Sequence, residues 1–131
     1  MAIIHSFSLS GIGIFPNGPL IQASDGFLYG TTREGGATLF RADTSDNVML
    51  VTKLVGTQPL SGVIQGSDGA FYGTDEGVPG AGTLYRVDAS GVLSFVNLFD
   101  AADGYRPNYR VIQGSDGFLY GTTPEGGLLD F

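Results

Sequence analysis

Short runs of β-branched and aromatic residues alternate along this chain with clusters of Gly, Asp, Ser and Pro. In the middle third the runs are SGVIQGS at Ser61–Ser67, AFYGT at Ala70–Thr74, GTLYRVD at Gly82–Asp88 and VLSFVNLF at Val92–Phe99. Runs of this length, bounded by turn residues, are strand patterns. No segment of ten or more residues carries an apolar stripe of period 3.6, so the pattern predicts an all-β chain.

The pattern is also repeated. QASDGFLYGTT from Gln22, QGSDGAFYGTD from Gln65 and QGSDGFLYGTT from Gln113 are nearly one text, at intervals of 43 and 48 residues. Aligning the three Gln residues also aligns Pro16, Pro59 and Pro107, Ile21, Ile64 and Ile112, and Tyr29, Tyr72 and Tyr120. A fixed period of this size signals propellers, solenoids or arrays. Four short antiparallel strands per unit with both faces covered describe a β-propeller blade. The expected boundaries lie within one repeat domain over residues 1–131: blade 1 at about 16–54, blade 2 at about 59–99, and an incomplete blade 3 at about 107–131.

Ser-Asp-Gly separates the first two strands of each unit, and Asp-Gly between apolar runs predicts a hairpin with a two-residue type I′ turn. With Asp25-Gly26, Asp68-Gly69 and Asp116-Gly117 as the turn pairs, Gln22 faces Tyr29, Gln65 faces Tyr72 and Gln113 faces Tyr120. The same register sets Gly30, Gly73 and Gly121 opposite an Ile, leaving a gap for bulk from the next sheet. The Gln amide and Tyr hydroxyl then need polar partners, most simply on the adjacent sheet.

SDGFLYGTT followed by EGG, with GTLYRVDASG further on, resembles the GloVer tandem repeats of bacterial proteins. The resemblance covers Pro16 to Phe131. It implies a propeller-like repeat architecture and an extracellular setting, and it implies no reaction. Repeat 1 departs from the pattern with a short EGGATLFRAD, and repeat 3 reaches only midway through its third strand at Phe131. AIIHSF at Ala2–Phe7 matches the fourth-strand texts at Met49 and Val92, so residues 2–7 are expected to complete the last blade of a partner chain. Three blades fall short of the usual ring of about 4 to 8. The expectation is a homodimer closing a six-bladed ring. The alternative is a piece of a longer array with a purely structural role.

Composition narrows the partners. Thirteen acidic against six basic residues give a net charge of -7, which disfavours nucleic acid and anionic membrane surfaces. There is no Cys, hence no disulfide or thiolate site. No stretch approaches the roughly 20 apolar residues of a membrane helix.

The search for chemistry returns little. His5 stands alone and suits a strand better than a metal site. Asp25, Asp68 and Asp116 read as turn residues, and Glu34, Glu76 and Glu125 as positional loop residues, because equivalent carboxylates do not supply the distinct environments of an acid and a nucleophile. Neither a metal nor a cofactor is expected. What differs between copies is DAADGYR after the second fourth strand, followed by Tyr109 and Arg110. Asp100, Asp103, Tyr105, Arg106, Tyr109 and Arg110 are therefore the candidate ligand site, of a kind suited to a glycan. The expected function is a non-enzymatic assembly or recognition module, with a carboxylate-dependent hydrolase or lyase as the competing reading.

Overall fold

The computed structural model describes residues 12–45, 47–76, 82–99 and 110–123, together with the backbone of 128–130. Among these residues there is no helix, and so none long and apolar enough to cross a membrane. The chain forms three antiparallel sheets. The first runs in the order β1 (Ile14–Gln22), β2 (Leu28–Glu34), β3 (Thr38–Ala42), β4 (Val48–Lys53). The second repeats it with β5 (Ile64–Gln65), β6 (Phe71–Asp75), β7 (Thr83–Val87) and β8 (Leu93–Leu98). The third holds β9 (Ile112–Gln113), β10 (Leu119–Thr122) and β11 (Leu128–Asp130). Despite the shortened loop of repeat 1, β3 pairs along its length with β2 and β4, and its Leu39 and Phe40 are buried.

Each sheet is a meander, and the sheets stack face to face. The strand period of two explains how both faces are used. In the second blade Phe71, Tyr85 and Val87 point back toward the first blade and, with Val63 just before β5, join Tyr29, Leu39 and Leu54 in one buried cluster. Leu84 of the same blade points forward and packs with Ile64 and Tyr72 against Val111 and Leu119 of the third. The Tyr29 and Phe71 rings stack across the first junction with centroids 4.3 Å apart. The strands β4 and β8 carry the solvent edge, where Met49, Phe95, Val96 and Leu98 are exposed.

The hairpin turns differ from the expected type I′ by one residue. The Gly26 N–H donates to the Ala23 carbonyl at 2.9 Å and the Ala23 N–H to the Phe27 carbonyl at 2.9 Å, closing a three-residue loop. Gly66–Ala70 and Gly114–Phe118 are built the same way. Only the third loop residue has positive φ, at 88° for Gly26, 82° for Gly69 and 89° for Gly117, which is the type I turn plus left-handed glycine. The aspartate selects it, because Asp25 Oδ1 accepts the Phe27 N–H at 3.0 Å, holding Asp25 itself at negative φ.

One residue of slip reassigns every pair. Ile21 faces Tyr29 and Gln22 faces Leu28, and likewise Ile64 faces Tyr72 and Gln65 faces Phe71. The expected Gln–Tyr pair therefore does not form. The glycine gap is also filled differently, by an aromatic ring of the third strand in the same sheet. Gly30 pairs with Phe40 and Gly73 with Tyr85, and a Cβ on either glycine would lie 2.7 Å from Phe40 Cζ or 2.5 Å from Tyr85 Cζ. Across the first junction the inner strands touch through backbone: a Cβ on Gly62 would sit 2.5 Å from the Pro19 carbonyl. The expected strand at residues 2–7 lies outside the described residues.

Candidate functional site

The repeated phrase builds a rim feature in three copies. In each turn the aspartate accepts two bonds, from a backbone N–H through Oδ1 and from the tyrosine hydroxyl through Oδ2. Tyr29 donates to Asp25 at 2.7 Å, Tyr72 to Asp68 at 2.7 Å and Tyr120 to Asp116 at 2.5 Å. The Tyr72 hydroxyl, with the Ala70 N–H and Arg86, holds the Asp68 carboxyl below its ordinary value, and Tyr120 does the same for Asp116. Burial pushes the Tyr29 and Tyr72 hydroxyls up, and their acidic partners add to it.

The glutamine links the copies. Gln65 Oε1 accepts the Ser24 N–H of the preceding blade at 2.8 Å, while its Nε2 donates to the Gly69 carbonyl of its own turn and to Ser24 Oγ, each at 3.2 Å. Gln113 holds Ser67 identically, at 2.8 and 3.2 Å, and donates to the Gly117 carbonyl at 2.9 Å. Gln65 and Gln113 therefore each clamp the turn of the preceding blade. Asn17 adds a bond to the Pro59 carbonyl at 2.7 Å, and Arg33 pairs with Glu76 at 3.1 Å, both across the first junction.

Beside the first clamp lies a cleft of about 350 Å³. Blade 1 supplies Ser24, Asp25, Tyr29, Arg41 and Met49–Val51, and blade 2 supplies Gln65, Phe71 and the β7–β8 turn at Asp88–Gly91. That turn is fixed by Asp88 Oδ1, which accepts the Ser90 and Val92 N–H groups at 2.9 and 3.0 Å. It closes on blade 1, since a Cβ on Gly91 would lie 3.2 Å from the Val51 carbonyl. Apolar walls with a few convergent polar groups are the usual make-up of a small-molecule site.

Arg41 distinguishes this cleft from its counterpart. Its equivalent Arg86 forms an ion pair with Asp68 at 3.1 Å and bonds the Tyr72 hydroxyl at 3.2 Å. Arg41 lies 4.6 Å above the Phe27 ring and 3.7 Å from Met49 Sδ, with no carboxylate partner among the described residues. The second turn has Ala70 where the first has Phe27, so the ring under Arg41 has no counterpart there, while Tyr29 has its arginine beside it as Tyr72 does.

Of the sequence candidates, Asp100, Asp103, Tyr105, Arg106 and Tyr109 lie outside the described residues, and Arg110 is exposed just before β9. Gln22, Asp25, Gly26, Tyr29 and Gly30 stand in the first hairpin, Gln65, Asp68, Gly69, Tyr72 and Gly73 in the second, and Gln113, Asp116, Gly117, Tyr120 and Gly121 in the third. Arg41, Met49 and Ser90 were not among the candidates. The repeated R-x-D text contains Arg41, and its different surroundings are tertiary. Among the described residues no group of three His, Cys, Asp or Glu could hold a metal ion.

Comparison with known proteins agrees with this architecture. The X-ray structure of a candidate gluconolactonase superposes with a TM-score of 0.60 at 17% identity, over 82% of this chain and 41% of that one. The chain thus spans less than half of that protein, and the likeness, with four-stranded blades stacked face to face, supports a propeller-like fold. A search of curated proteins returns no match. The model of the Gloeobacter/Verrucomicrobia repeat matches residues 1–130, the stretch that contains all three turns and both clamps, and this chain belongs to that family.

Proposed function

We propose that this chain is a non-enzymatic propeller-type recognition module, and that the cleft between its first two blades takes a glycan bearing a carboxylate. The observation that carries this reading is Arg41, a guanidinium with no carboxylate partner among the described residues, at a cleft that Met49 and Leu50 line from the same blade and Ser90 from the next. Met49 and Leu50 offer exposed apolar contacts to a sugar, Asp25 and Ser90 offer polar contacts to its hydroxyls, and Arg41 offers a two-pronged donor to a carboxylate. The carboxylates of the three turns argue for binding over catalysis. Asp25, Asp68 and Asp116 are each bonded to a tyrosine and a backbone N–H in the same way, so none is set apart as a proton donor.

A glycan array probed with the wild-type chain and with Arg41→Ala tests the reading. Binding to acidic glycans that the variant loses is the expected result. Absence of binding to any glycan, or binding that Arg41→Ala leaves unchanged, refutes it. The likeness to a candidate gluconolactonase favours one competing reading, a hydrolase. Turnover of a sugar lactone by the wild-type chain would establish that reading in place of recognition.

A further inference from the structure

The clamp has two halves, and the stack leaves one half open at each end. A blade offers its turn serine N–H to the blade after it and its glutamine to the blade before it. Ser24 and Ser67 are taken by Gln65 and Gln113. Gln22, in the first blade, has no serine to hold: its one bond is a long donation of 3.4 Å to the Gly26 carbonyl, and its Oε1 has no partner among the described residues. Ser115, in the third blade, has no partner for its N–H or hydroxyl among the described residues.

The apolar faces show the same asymmetry. Ile21 and Ile64 point forward and are partly covered by the next blade. Their equivalent Ile112 is 60% exposed. On the backward faces Phe71 and Leu119 are buried under the preceding blade, whereas Leu28, their equivalent, is only half-buried. The open serine and the open isoleucine lie on one side of blade 3, and the open glutamine and Leu28 on the opposite side of blade 1. These are the two sides of a junction that the chain already makes twice.

We infer that a second copy of this chain docks the back of its blade 1 on the front of blade 3, with Gln22 of one copy clamping Ser115 of the other and Leu28 covering Ile112. The patches are complementary and not self-complementary, since serine donors cannot satisfy serine donors, so the contact is head to tail. Two copies make it twice and bring the number of blades to six, inside the usual range of about 4 to 8. The second contact of such a ring forms intramolecularly, which strengthens the pair far beyond one junction.

The experiment is light scattering after size exclusion of the 131-residue chain over a wide concentration range, with Gln22→Ala, Ile112→Asp and Gln65→Ala beside it. The expected mass is twice 13.7 kDa. Gln22→Ala should raise the dissociation constant roughly thirtyfold and Ile112→Asp by more than about a hundredfold, because each change strikes both contacts of the ring. Gln65→Ala, an internal clamp, should lower the melting temperature and leave the mass unchanged. Gln22 and Ile112 are solvent-exposed, so circular dichroism of their variants should match the wild type. Since the chain has no cysteine, Gln22→Cys and Ser115→Cys can be mixed and joined with a short bis-maleimide. Cross-linking in the mixture but in neither variant alone supports the head-to-tail contact. A monomer at every concentration, a dimer insensitive to both surface changes, or cross-linking of Gln22→Cys by itself overturns it.

Discussion

Tyr85 offers the sharpest test of how the blades are packed. Its side chain is fully buried, and its hydroxyl lies against the Gly73 backbone with no hydrogen-bond partner among the described residues. Burial, with the Asp75 charge nearby, pushes its ionisation far above the ordinary tyrosine value, so the group stays neutral at any working pH. An unpaired buried hydroxyl costs about 1–3 kcal/mol, and removing it sacrifices only the few dispersion contacts of one oxygen, worth less than about 1 kcal/mol. Tyr85→Phe should therefore stabilise the chain by about 1 kcal/mol. Blade 1 already carries the substitution, because Phe40 fills the gap over Gly30 as Tyr85 fills that over Gly73. For 131 residues the unfolding entropy makes this a rise of about 4 °C in Tm. Urea unfolding followed by circular dichroism, alongside thermal melts, would measure it. A loss of about 1 kcal/mol or more would show that the hydroxyl is bonded in solution, and the reasoning from its isolation would fail.

Three other outcomes follow from the same contacts. Gly73→Ala should destabilise by about 1–3 kcal/mol in denaturant melts, since its Cβ would meet the immobile Tyr85 ring at 2.5 Å, and the same change made in a Tyr85→Ala background should cost less, because the ring it strikes is gone. Gln65→Ala should cost about 1 kcal/mol by the same assay, through the bonds to Ser24 and Gly69. Asp68 has its pKa lowered in the folded chain, chiefly by the Tyr72 hydroxyl, so its contribution is present above the ordinary value of 3.8 and disappears as pH falls through the lower folded value. The stability gap between wild type and Asp68→Asn should accordingly be largest near neutrality and close below pH 3.8, as read from urea midpoints across pH.

The fold was legible because strand runs and turn residues recur at matched offsets, and Ser-Asp-Gly marks each hairpin. The turn type was misjudged because Asp-Gly alone does not reveal what the aspartate side chain does. Asp25 bonds the Phe27 N–H and so lengthens the loop by one residue, which moved Gln22 off Tyr29. That a glutamine in every unit needs a partner on the adjacent sheet was readable, and Ser24 and Ser67 supply it. Its tyrosine instead bonds the turn of its own hairpin. The cleft was not legible. Arg41 and Arg86 stand in equivalent strand text, and their surroundings differ through Phe27 against Ala70 in the hairpin turn and Met49 against Ser94 on the neighbouring strand. Ser90, on the opposite wall, comes from the other blade.

The glutamine clamp has a consequence for how such chains lengthen. Because each clamp is made by one residue from either neighbour, with the same bonds at both junctions, a duplicated unit arrives carrying both parts of its own fastening. Inserting it asks nothing new of the units on either side. Energies then sum over nearest neighbours, as in a linear array of coupled elements, and loss of one clamp weakens one joint while the next holds. Repeat number can change by copying whole units, while drift in any single glutamine or serine is felt by the adjoining unit alone.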